Sequence, residues 1–279
     1  MPLDDAVAAL LRSVAAEVVM PSFRRLAEDD IAEKSPGEVV TRIDRLSEER
    51  LRTGLEALGT GARVIGEEAC ADDPALLAEA GKGLVWLVDP LDGTGNFASG
   101  HHPFGMMVAL VADGVPQAAW MLDPVTDRLC HAERGKGATV SGQRVAAQGT
   151  GAPTPVAALA TQFMAPDVRL RVAEEARRHF TLEPIPRCAA ESYPRLVLGR
   201  NDMALFQRIL PWDHAAGVLF VEEAGGVATH WDGSPYRVGG PAPGLLVAAN
   251  RSAWDLAHAA LFPVLQPIAP LDCLKAIAA

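Results

Sequence analysis

The chain has 279 residues and a formal charge of −10 from 35 acidic and 25 basic side chains, and 49% of its residues are hydrophobic. That length allows one large domain or two packed smaller ones. The acidic balance, with no basic run or basic-aromatic interleaving, argues against nucleic acid as a partner. Asp, Glu, Lys or Arg breaks every apolar run before the roughly 18 residues that a membrane span needs, so no membrane helix is expected. The start Pro2-Leu3-Asp4-Asp5 lacks the basic and apolar segments of a secretory signal, and a cytoplasmic location is expected. Cys70, Cys130, Cys188 and Cys273 are widely spaced, which predicts reduced thiols rather than a zinc site or a disulfide scaffold.

Leu3, Val7, Leu10, Leu11, Val14 and Val18 recur at helical spacing and predict an amphipathic helix to about Pro21. A short extended piece over Ile31 to Lys34 precedes a turn at Ser35-Pro36-Gly37. Ile43, Leu46, Leu51, Leu55 and Leu58 mark a second helix, with Thr41 near its start and Asp44 in an early turn. Arg63 to Gly66 reads as a strand delivering Glu67 and Glu68, and Leu84 to Val88 as one delivering Asp89. Runs from Gly105 to Val111 and Gln117 to Leu122, separated by Asp113-Gly114, predict antiparallel neighbours.

Glycine and proline accumulate between Gly135 and Pro155, and a boundary between two sub-domains, 1–145 and 146–279, is placed there. Beyond it come a strand at Val156 to Ala160, a helix at Val168 to His179, and a strand at Ala204 to Phe206. A helix capped by Asp213 and closed by Gly225-Gly226 follows, then strands at Val227 to Thr229 and Leu245 to Ala248 and a last helix from about Ser252 to Leu261.

The chemistry concentrates in VWLVDPLDGTGNF, residues 85–97, where a buried strand gives way to a polar turn. Asp89 and Asp92 flank Pro90-Leu91, so a turn can aim both carboxylates and the Leu91 carbonyl at one place. Gly93 leaves room for a ligand, and the Gly93 and Thr94 amides can meet phosphate oxygens. Converging carboxylates repel one another unless cations neutralise them. With Glu67 and Asp213 as candidate partners the donors are all oxygen, which favours Mg²⁺ or Mn²⁺ over Zn²⁺.

In order and spacing, G-E-E, D-P-L-D-G-T and W-D-x-A-A-G followed by E-A-G-G, with K-S-P at Lys34 to Pro36 and Asp44 beyond it, resemble the inositol monophosphatase family. That family lies within the lithium-sensitive, Mg²⁺-dependent phosphatases that include fructose-1,6-bisphosphatase. The resemblance spans about residues 30–250 and implies a mixed α+β fold, a layered αβαβα sandwich. It also implies a homodimer and hydrolysis of a small sugar, polyol or related phosphate, with histidinol phosphate or a nucleotide 3′-phosphate as alternatives. Glu67, Asp89 and the Leu91 carbonyl would hold one ion, and Asp89, Asp92 and Asp213 a second. A third, weaker ion would lie near Glu67, with Asp44 in its outer shell and Glu68 either there or facing solvent. Thr94, hydrogen-bonded toward Glu67, would orient the attacking water, and Asp92, Gly93, Thr94, Ser192, Phe206 and Asp213 would meet the substrate. A non-catalytic role as a protein-binding factor in transcription or ribosome assembly is the competing class.

Two departures bear on the substrate. Phe206 stands where inositol-specific members carry a Glu seven residues before the W-D aspartate, leaving Gln207 as a substitute hydroxyl acceptor. Glu191-Ser192-Tyr193 stands where a G-T-A-A run is usual, with Arg195, Arg200 and Arg208 nearby as anion binders or surface partners. His101 and His102 read as loop residues, His214 as a neighbour of the site or solvent-facing, Trp212 as packing, and the cysteines as inert.

Overall fold

The computed structural model describes residues 1–35, 38–240 and 244–266. The first apolar stripe folds as expected: α1 (Leu3–Val14) continues through a π-turn (Ala15–Val19) into α2 (Met20–Ser22), burying Val7, Leu11, Val14 and Val18. β1 (Ile31–Ser35) pairs antiparallel with β2 (Glu38–Thr41), a strand the sequence reading missed because only Val39 and Val40 mark it. Pro36 and Gly37 of the expected turn, and the side chains of Lys34 and Ser35, lie outside the described residues. α3 (Arg42–Ala57) opens with a capping box: the Ile43 amide donates to the Thr41 hydroxyl at 3.1 Å, and the Thr41 amide to Asp44 Oδ2 at 2.8 Å.

A seven-stranded sheet follows. β3 (Arg63–Gly66) leads through α4 (Glu67–Asp72) to β4 (Leu84–Asp92), its parallel neighbour. After α5 (Thr94–Ala98), the strands β5 (Gly105–Ala112), β6 (Val115–Asp123), β7 (Arg128–Glu133), β8 (Gly137–Val140) and β9 (Gln143–Val145) add on antiparallel in chain order. The glycine-rich tract is therefore not all connection. Its Ser141-Gly142 pair, with φ of 48° and 79°, is the tight turn of the β8–β9 hairpin, for which left-handed residues are required.

A five-stranded sheet is built from β10 (Val156–Ala160), β11 (Thr181–Glu183), β12 (Met203–Phe206), β13 (Val227–His230) and β14 (Leu245–Ala248), in the order β11-β10-β12-β14-β13. Its helices are α6 (Pro166–Arg177), α7 (Ala189–Val197), α8 (Pro211–Glu223) and α9 (Arg251–Leu265). Neither β11 nor α7 was expected: three residues carry too little pattern, and Pro194 inside α7 reads locally as a breaker.

Strand alternation sorts these elements into layers. On β4, Trp86 and Val88 face α1 and α3, whereas Val85 and Leu87 face α7 and α8. On β12 and β14, Ala204, Phe206, Leu245 and Val247 face the same middle helices, whereas Met203, Leu205, Leu246 and Ala248 face α6 and α9. The result is helix, sheet, helix, sheet, helix, as the resemblance implied. Leu87, 1% exposed, fills the middle layer two residues before Asp89. Leu87→Ala should cost about 2–5 kcal/mol through the cavity it leaves, as read by urea unfolding.

Candidate active site

β3 and β4 are parallel with Gly66 opposite Val88, so Glu67 and Asp89 emerge side by side at one sheet edge. α8 packs on that sheet and presents Asp213 in its first turn. Carboxylate oxygens of Glu67, Asp89 and Asp213 all lie within 4.8 Å of one another. Asp213 is not the helix cap, as the sequence reading expected. Leu210 occupies that position and Pro211 the first helical one, where a missing N–H costs nothing. From the first turn, Asp213 still meets the positive end of the helix.

The D-P-L-D-G-T turn is a strand irregularity: the pairing with β5 shifts between Asp89 and Asp92. The Leu91 amide donates to Asp89 Oδ1 at 3.1 Å, and the Leu91 side chain is buried in the core under α1 and α3. Gly93 sits in the left-handed region (φ 78°, ψ 33°), which lets α5 begin at once with Thr94. The Thr94 hydroxyl is 2.8 Å from Asp44 Oδ1 and 2.9 Å from the Leu91 carbonyl. Asp44 is thus the carboxylate it meets, where Glu67 was expected, because the capping box turns Asp44 toward the start of α5. Asp92 stands beside the trio, with its Oδ2 accepting the Ala190 amide at 2.6 Å and a further bond from the Cys188 side chain.

Burial raises the affinity of Asp44, Asp89 and Asp92 for protons. Asp89 is pushed well above the usual range by desolvation first, then by the charges of Glu67, Asp92, Asp213 and Asp44. Asp44 is raised to about 6 by burial, against hydrogen bonds from Thr41 and Thr94, with the charge of Glu67 adding to the rise. Asp92 is also raised to about 6 by burial, against bonds from Cys188 and Ala190. An all-oxygen donor set whose members repel one another fits a hard divalent cation, which would offset both the lost hydration and the repulsion.

The other expected residues make contacts of their own. Glu68 is buried and its amide donates to Glu48, but it does not join the three close carboxylates. The Ser192 hydroxyl turns back to the Cys188 carbonyl at 2.9 Å, and Asp92 is met by the Cys188 side chain and the Ala190 amide. The sequence signal for them was the small-residue run Cys188-Ala189-Ala190 at the start of α7. Phe206 lines a small pocket with Ser192, Arg195 and Asn201, and its ring stacks on Tyr193 at 5.4 Å. Arg195 and Arg200 gather on Glu191, at 2.7 and 3.8 Å, and Arg208 stacks over Phe163 at 4.0 Å. His102 bonds Asp123 at 3.0 Å, and Trp212 is buried packing. His214 bonds the Tyr193 hydroxyl at 2.7 Å and the Arg208 carbonyl at 2.9 Å, and burial lowers its pKa to about 3.

A family model described as "Inositol monophosphatase family" matches residues 2–266. The chain belongs to the inositol monophosphatase family. It is 26% identical to the inositol-1-monophosphatase of Bacillus subtilis over 84% of this chain and 87% of that protein. To the Nus factor SuhB of Pseudomonas aeruginosa it is 30% identical, over 92% and 93% of the two chains. The fold matches a solved Thermotoga maritima IMPase with a TM-score of 0.79 and 25% identity, covering 96% of this chain and all of that one.

The buried carboxylates make the stability of the fold depend on pH. Asp44 and Asp92 have folded pKa values above their ordinary 3.8, so the fold favours their protonated forms. The stability they contribute is present at low pH and is lost as pH rises through about 6. In chelator, the melting temperature should fall from pH 5 to pH 7.5, and added Mg²⁺ should restore more of it at the higher pH. A melting temperature that climbs over that window in chelator contradicts the assignment.

Proposed function

We propose that this member of the family is a Mg²⁺-dependent phosphomonoesterase acting on a small anionic metabolite. The observation that carries it is the approach of Glu67, Asp89 and Asp213 to within 4.8 Å. Glu67, Asp89 and the Leu91 carbonyl would hold one cation, and Asp89, Asp92 and Asp213 a second. A third, weaker one would lie near Glu67, with Asp44 and Glu68 beyond it; Mn²⁺ suits the same donors. Bound there, such ions supply the positive charge that an acidic chain lacks for a phosphate dianion, and make water a nucleophile near neutral pH.

The chain's own groups do the positioning. Asp44 holds the Thr94 hydroxyl, whose oxygen accepts from the attacking water and aims it in line with the ester bond. The Gly93 and Thr94 amides receive phosphate oxygens where α5 begins. Asp92, fixed by Ala190, limits where the phosphate can sit.

On the leaving-group side, Phe206 packed on Tyr193 offers no acceptor to a sugar hydroxyl. This counts against a substrate that needs a hydroxyl acceptor at Phe206, inositol phosphate among them unless Gln207 serves instead, and leaves sugar, polyol, histidinol and nucleotide 3′-phosphates open. The division near residue 145 belongs to the same proposal: the first part supplies Asp44, Glu67, Asp89, Asp92 and Thr94, and the second supplies Asp213 and the Phe206 pocket. Among the described residues no helix is long and apolar enough to cross a membrane. A homodimer in the cytoplasm completes the reading.

In a metabolite-phosphate panel, Asp89→Asn should lower kcat/KM by about 10²–10³-fold or more, the scale of removing one preorganised electrostatic group. Chelator should abolish turnover and lithium should inhibit it. Turnover indifferent to all three refutes the metal-assisted reading. The SuhB relative favours a second reading, in which the chain serves as a binding factor. Under that reading, Asp89→Asn in place of the wild-type gene leaves cell growth intact although turnover is gone.

A further inference from the structure

α4 begins in an unusual way for a helix that carries a functional side chain at its first position. Its cap is Gly66, which has no side chain to accept the amides of the first turn. A carboxylate from another helix does so instead. Glu48 of α3, 4% exposed, accepts the Glu68 amide on Oε2 at 2.7 Å and the Ala69 amide on Oε1 at 3.0 Å. Arg52, one turn along α3, donates to Glu48 Oε1 at 3.1 Å and reaches the Val64 carbonyl of β3 at 3.4 Å.

Glu48 therefore grips the backbone on the far side of Glu67, and its partner Arg52 reaches the near side. The glycine is required by this approach: a Cβ at Gly66 would stand 2.2 Å from the Glu48 carboxyl carbon. A carboxylate buried there loses hydration, a cost that its two amide bonds, the positive end of α4 and Arg52 offset. An amide side chain in its place would present an NH₂ group to one of the two N–H donors and lose one bond.

We propose that Glu48 is a positioning residue for the cation site, acting through the α4 backbone to hold the Glu67 carboxylate at the Asp89–Asp213 pair and so setting the cation affinity. This rests on the reading that Glu67 ligates a cation. Orienting groups behind a ligand typically govern about 10–100-fold in metal affinity, because a ligand free to swing loses its preorganisation.

The test is calorimetric titration of Mn²⁺ alone into chelator-stripped, dialysed full-length protein, with melting temperatures in chelator recorded alongside. Glu48→Gln should weaken cation binding about 10–100-fold, while KM for the phosphate ester at saturating cation stays near the wild-type value. Arg45→Ala breaks the exposed Arg45–Asp72 pair between the same two helices and should leave cation affinity unchanged. Should Glu48→Gln fail to fold, Gly66→Ala tests the contact by crowding the carboxylate and should weaken binding in the same direction. When both single variants fold, their double mutant should bind no more weakly than the weaker single. A folded Glu48→Gln variant with wild-type affinity, or full additivity in the double mutant, overturns the proposal. Wild-type protein that takes up no Mn²⁺ overturns the underlying cation reading instead, a result distinct from the other two.

Discussion

Asp89 is buried at 1% exposure on a central strand and faces the charges of Glu67, Asp92, Asp213 and Asp44. Such an arrangement is unfavourable twice over, through lost hydration and through mutual repulsion, and it relaxes only by taking up protons or cations. The fold is organised to impose it. Parallel pairing of β3 with β4 fixes the separation of Glu67 and Asp89, and the docking of α8 on the same sheet brings in Asp213 from a distant part of the chain. A divalent cation or a proton at these oxygens would relieve the same strain, so the two would compete at low pH.

The oxygens of the site are divided between two tasks. Asp44 spends Oδ2 on the Thr41 cap and Oδ1 on Thr94; Asp92 spends Oδ2 on Ala190; Asp89 spends Oδ1 on the Leu91 amide. Three of these bonds tie a carboxylate to a backbone amide and the fourth ties Asp44 to the Thr94 hydroxyl, so the orientation of the cluster inherits the rigidity of the packed segments that carry these groups. The Glu48 bonds to the start of α4 extend the same principle to Glu67, whose own backbone has no side-chain cap.

The opposite wall of the site is built from different materials. Tyr193, Phe206 and His214 form one packed aromatic group, with His214 neutral and bonded at both ring nitrogens. Glu191 draws Arg128 and Arg195 onto itself at 2.6 and 2.7 Å, with Arg200 at 3.8 Å. Arg195 and Arg200 are thereby engaged with a carboxylate of the protein. Mutually repelling carboxylates are thus concentrated on the Asp89 side of the site, and the neighbouring side chains are apolar or internally paired.

Much of this was legible in the sequence, and what was legible was local. The period of Leu3, Val7, Leu11 and Val14 determined a helix, the continuous apolar run Leu84 to Val88 a buried strand, and D-P-L-D-G-T a tight oxygen-bearing turn, because each depends on residues adjacent in the chain. The layered fold and the separate roles expected of the carboxylates came from resemblance in the order of such local pieces. What only the tertiary structure decided were relations between distant segments: that Thr94 meets Asp44, that Cys188 and Ala190 support Asp92, and that Glu48 caps α4. The weakly patterned β2, β8, β9 and β11 belong with these, since a short strand is stabilised by its neighbours more than by its own residues. Side-chain spacing along a chain fixes which face a residue occupies, but hydrogen bonds across segments 20 to 98 residues apart are set by how those faces pack.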